Sequence, residues 1–145
     1  MPTPRGGSTP GAAAYPGDYT GPLRPEYAPR PDGRPDPGEI VWTWVPFEED
    51  HSQGKDRPVL LVGRDGQWLL GLQLTSKDHD TPGRRPDPRW VDIGTGTWDR
   101  QGRPSEVRLD KLLVLDPARV RREGAALDRE RFDRVIAEAR RVQGW

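Results

Sequence analysis

Ten prolines fall within residues 1–37, and that stretch holds no Val, Ile, Phe or Trp. Such a segment has too little apolar surface to offset the entropy of ordering it. It is expected to stay a disordered tail with local polyproline II character. All six tryptophans and both phenylalanines lie beyond it, so the core has to come from residues 38–145. That length suits one domain able to fold alone. On this reading, a chain starting at Asp36 melts much as the full one does.

With no cysteine in the sequence, disulfides and thiolate metal sites are excluded, and stability rests on packing. The 23 basic and 23 acidic residues cancel, which argues against a protein that coats polyanions through excess positive charge. Local patches remain open: Glu39, Glu48, Glu49, Asp50 and Asp56 crowd one region, and Arg119, Arg121 and Arg122 another. No apolar run approaches the roughly 20 residues that span a bilayer. Nor does the N-terminus show a basic-then-apolar leader. A cytoplasmic protein without membrane contact is expected.

Ile40–Val45 is β-branched and aromatic on both pleat faces and reads as a strand ended by Pro46. Phe47–Asp56 reads as a polar loop. Pro58–Val62 and Trp68–Leu74 read as a hairpin whose Asp65-Gly66 turn supplies positive φ. After a long polar loop, Ser76–Arg89, come a short strand at Trp90–Ile93 and a longer one over Glu106–Leu115. Asp116-Pro117 opens a short helix. Asp128 caps a final one, on which Phe132, Val135, Ile136, Ala139 and Val142 share a face. The expected fold is α+β and mainly β: a small SH3-like partial barrel of five to six strands, a short helix and a C-terminal amphipathic helix. Trp42, Leu60, Leu70, Leu113 and Ile136 are expected to share one core. Of the tryptophans, most read as core, and Trp98, set among Gly, Thr and Asp, as the exposed one able to stack on a base.

The order of these elements, together with several short motifs, resembles the PemK/MazF toxins of toxin–antitoxin pairs. Gly38-Glu39-Ile40-Val41-Trp42 is similar to the family's first strand. Ser52-Gln53-Gly54-Lys55-Asp56-Arg57-Pro58-Val59-Leu60 resembles, in compressed form, its Arg-Pro signature. Leu74-Thr75-Ser76 resembles the strand end bearing a polar catalytic residue, and Val107–Leu112 the segment after the second loop. The resemblance spans Gly38 to about Val142. It implies cleavage of single-stranded RNA without metal or other cofactor, by attack of the ribose 2′-OH on the adjacent phosphorus. It also implies a homodimer and an antitoxin protein as partner, with no direct contact to DNA.

Carried over by motif, Arg57 is the catalytic cation and Thr75 the catalytic hydroxyl. A guanidinium fork matches a phosphate bidentately, and charge builds on the phosphate oxygens during the reaction. Ser76 is a fallback hydroxyl. Gln53, Lys55, Lys77 and Trp98 are the candidates for RNA contact. His79, four residues past Thr75 and flanked by Asp78 and Asp80, is a candidate general base, though it reads equally as a solvated loop residue. A metal site on those three is disfavoured, because neighbours in an extended loop point apart and no second cluster completes it. Outside the resemblance, Arg57 is an ordinary surface charge and Thr75 an ordinary strand end. The rival reading is a non-catalytic SH3-like module that binds RNA or protein. The discriminating feature is whether Arg57 and Thr75 share one open cleft.

Overall fold

The computed structural model describes residues 23–30, 35–46, 50, 52–75 and 89–144, with the side chains of residues 121–124 excepted. Seven strands run in order: β1 (Glu39–Pro46), β2 (Gly54–Asp65), β3 (Trp68–Thr75), β4 (Trp90–Gly94), β5 (Ser105–Arg108), β6 (Leu113–Leu115) and β7 (Arg121–Ala126). A one-turn 3₁₀ helix (Pro117–Arg119) joins the last two, and α1 (Arg129–Gln143) follows. All pairings are antiparallel, in the order β4-β5-β3-β2-β1-β7, with β6 also against β3.

The unbroken apolar run of β2 arises because both of its faces are covered. Leu60 and Val62 lie with Ile40, Leu70, Leu72 and Leu74 in a cluster that receives Phe132, Val135, Ile136 and Ala139 of α1. Val59 and Leu61, pointing the other way, join Val41, Val45, Leu69, Leu113 and Leu115 in a second cluster. Gly71 belongs to this second face. A Cβ there would stand 2.4 Å from Val59 Cγ1 and 3.2 Å from Leu115 Cδ1, so its missing side chain lets β2, β3 and β6 close on one another. The sheet curls into a half-barrel with the helix against one side, the expected class. Gly66, at φ +62°, makes the hairpin turn as its dipeptide predicts.

Several expectations are corrected. Glu106–Leu115 is two strands. Against β3, Val107 pairs with Leu74 and Leu115 with Leu69, a register that leaves a bulge of about three residues. Within that bulge Leu109 and Leu112 are buried in the first cluster. The expected short helix is a single 3₁₀ turn, capped by Asp116 accepting from the Ala118 N–H, and the unforeseen β7 follows it. Leu60, Leu70 and Ile136 do share a core, but Leu113 lies in the other cluster and Trp42 in neither. Trp42, Trp44, Trp68 and Trp90 are only half-buried.

Residues ahead of Gly38 also pack against the domain. Leu23 is buried in the first cluster, and the Glu26 N–H donates to the Val62 carbonyl at 2.9 Å. Tyr27 stacks at a tilt on Phe132 with ring centroids 5.0 Å apart, donates to the Leu127 carbonyl at 2.6 Å, and lies under the Arg129 guanidinium. Gly38 makes room for it: at φ +98°, a Cβ there would come within 2.8 Å of the Tyr27 ring. Two apolar anchors thus seat residues 23–30, where average composition reads only a polar, proline-rich segment.

Candidate active site

Strands β2 and β3 pair from Asp65–Trp68 back to Val59–Gln73, and there the ladder stops. Continued by two residues, the same register would set Arg57 opposite Thr75. Instead the two strands take different neighbours. β2 stays with β1 as far as Gly54–Pro46, while Leu74 and Thr75 pair with Val107 and Glu106 of β5. Pro58 stands where β2 has β1 alone as neighbour, so its missing N–H costs no ladder bond to β3. A cleft of about 520 Å³ opens between the diverging ends, and both Arg57 and Thr75 line it.

Arg57 is half-buried, and that burial lowers its pKa from the ordinary guanidinium value. It lies in β2 itself, opposite the buried Thr43 of β1. Lys55 and Asp56 form an exposed rim, and Trp42, Pro58 and Leu74 give the cleft apolar surface. The opposite wall is the turn before β5, with Trp98, Asp99 and Arg103, and the first residue of β5, Ser105.

That wall is held from several sides. Trp98 is 3% exposed rather than presented to solvent. Its indole N–H donates to Ser105 Oγ at 3.0 Å, and its carbonyl accepts the Trp42 indole N–H at 2.9 Å. Gly96 closes against its ring, where a Cβ would fall 2.0 Å from the indole. The Arg131 guanidinium of α1 stands 5.4 Å from the ring centroid and donates to the carbonyls of Ile93 (2.6 Å) and Thr95 (3.0 Å). Arg131 is fixed in turn by Asp128, whose side-chain and backbone hydrogen bonds from Arg131 hold its carboxyl below the usual range. Asp99 uses both oxygens, one for the Gln101 N–H (2.9 Å) and one for Arg103 Nε (2.8 Å). Burial pushes its pKa up, but these hydrogen bonds and the Arg103 charge outweigh that and leave it lowered.

Four of the anticipated residues, Arg57, Thr75, Lys55 and Trp98, therefore line one cleft. Gln53 is exposed just ahead of β2, outside the lining. Ser76, Lys77 and His79 lie outside the described residues. Asp99, Arg103 and Arg131 were not foreseen. Asp99 with Gly102 three residues on is an Asx-turn signal, whereas nothing local marks Arg131. Chemically, a guanidinium fork and a hydroxyl lining one cleft, with further cations beside them, suit a phosphate group.

Residues 36–142 match the family model of the PemK-like, MazF-like toxin of type II toxin-antitoxin system. No curated protein matches the chain. Among solved structures, the fold is similar to an endoribonuclease in complex with its cognate antitoxin, from a mycobacterial species. The TM-score is 0.55 at 15% sequence identity, over 76% of this chain and 95% of that one.

Proposed function

Because the chain belongs to the PemK-like, MazF-like toxins of type II toxin–antitoxin systems, we propose that it is a metal-independent endoribonuclease that cuts single-stranded RNA and is silenced by an antitoxin protein. The observation that carries this reading is the shared cleft of Arg57 and Thr75. In the reaction a ribose 2′-oxygen bonds to the adjacent phosphorus and loses its proton to a base. The P–O5′ bond breaks as O5′ takes up a proton from a general acid or water, leaving a 2′,3′-cyclic phosphate and a 5′-hydroxyl end. Arg57 grips the non-bridging oxygens, where negative charge grows, and the Thr75 hydroxyl donates to one of them. Burial costs the Arg57 guanidinium part of its hydration. An anionic ligand such as an RNA phosphate offsets that cost, which supports phosphate binding in this cleft. A homodimer acting in the cytoplasm completes the proposal, on family grounds; among the described residues no helix is long and apolar enough to cross a membrane.

The test is incubation of the purified full chain with a varied pool of short single-stranded RNAs in excess EDTA. Cleavage to cyclic-phosphate ends is expected, and Arg57→Ala is expected to lower the rate by roughly 10²-fold or more. A chain that cuts no member of the pool, or that cuts only when divalent metal is restored, overturns the proposal.

A further inference from the structure

The turn before β5 carries a second cation into the cleft, and the way it is held bears on the substrate. Gly102, at φ +65°, turns the chain back, and its N–H donates to the Asp99 carbonyl at 3.0 Å. The Asp99 side chain is 7% exposed, that of Arg103 48%. So the carboxylate is anchored in the protein while the guanidinium stands at the cleft. The hydrogen bond to Asp99 runs through Nε, at 2.8 Å, so that carboxylate does not take up the two terminal amino groups of the fork. A carboxylate that gripped both terminal amines would have used up the fork; this one aims it.

We propose that Arg103 is a substrate-positioning residue, aimed by Asp99 to hold a phosphate of the bound RNA next to the phosphate at Arg57. This rests on the endoribonuclease reading of the cleft. Two guanidiniums from different walls of one cleft suit successive phosphates of a single strand, whereas one phosphate needs only one fork. The frame behind Arg103 is rigid: Trp98, one residue before Asp99, is tied to Trp42, Ser105 and Arg131. Arg103 makes no bond in the reaction; its effect is to set the register of the strand over Arg57 and Thr75.

The plain alternative is an ion pair that only staples the turn, and salt dependence separates the two. The probe is a short single-stranded RNA with 2′-O-methyl groups, which cannot be cut, followed by fluorescence anisotropy over a range of salt concentrations. Arg103→Gln and Asp99→Asn both break the staple, but only the first removes the cation. Arg103→Gln is expected to weaken binding roughly tenfold and to make the log–log salt slope shallower by about 0.7, one single-strand phosphate contact. Asp99→Asn is expected to weaken binding less and to keep the wild-type slope. Equal losses with unchanged slopes in both variants overturn the proposal, as does wild-type affinity in Arg103→Gln. Should Arg103→Gln fail to fold, the double variant Asp99→Asn/Arg103→Gln leaves no buried charge unpaired and gives the same slope comparison. Because the probe is inert, absence of cleavage in ordinary RNA sinks the nuclease reading without touching this measurement.

Discussion

In the proposed reaction Arg57 grips the phosphate, while its burial works against folding. Burial lowers its pKa. Arg57→Leu is therefore expected to abolish cleavage while leaving Tm unchanged or slightly raised, read by thermal melts beside RNA cleavage. A fall of many degrees would mean the guanidinium is structural. Arg57→Lys should rescue activity poorly, since an ammonium lacks the fork. Asp99 behaves oppositely. Its folded pKa is depressed, so it stabilises above its unfolded pKa, near 3.9, and the contribution is lost as pH falls through the lower folded value. Asp99→Asn should cost roughly 1–3 kcal/mol at neutral pH, and melting curves of mutant and parent should converge in strong acid. Parallel curves down to the lowest pH would refute the assignment. At this scale the sequence was partly readable. The positions of Arg57, Thr75 and Lys55 at one cleft were legible from motif order; Trp98, expected to be exposed for base stacking, is buried. Its burial depends on Arg131, 33 positions further along, and no local pattern encodes such a pairing.

Strands declare themselves by what covers them, and that decides which elements were legible. Ile40–Val45, Pro58–Val62, Trp68–Leu74 and the Phe132–Ala139 stripe are apolar enough to announce themselves. β7, Arg121–Ala126, is not: Arg-Arg-Glu-Gly carries no strand pattern, and its backbone pairing with β1 makes it a strand. The split of β5 from β6 was hidden for a related reason. An apolar run reads alike whether its residues face a sheet or fill a bulge. α1 was the most legible, with Asp128 at its N-cap and Gly144 at its C-cap. Asp128 also anchors Arg131, so Asp128→Ala should cost about 0.5–2 kcal/mol through the cap, and in addition lower cleavage by loosening Trp98. Stability loss with activity wholly intact, measured well below the melting transition, would show that the helix start does not support the cleft.

For the molecule as a whole, the segment Leu23–Arg30 bears most on stability. Starting the chain at Asp36 removes a buried leucine and the Tyr27 contacts to Phe132 and Leu127. That should cost roughly 2–4 kcal/mol, about 10 °C in Tm for a domain of this size. Unchanged melting would return the boundary to Gly38. The same segment has a consequence during synthesis. Tyr27 and Leu127 are 100 positions apart, and the first cluster needs Leu23 and Phe132 together. Arg57, Thr75 and Arg103 leave the ribosome well before the helix that seats Trp98, so a nascent chain carries every cleft residue without the cleft. Contacts this distant in sequence form late and slowly. Stalled chains ending before residue 128 should stay protease-sensitive and fail to cut RNA, while release of the full length should bring both properties together, making the toxin harmless to the ribosome that is still translating it.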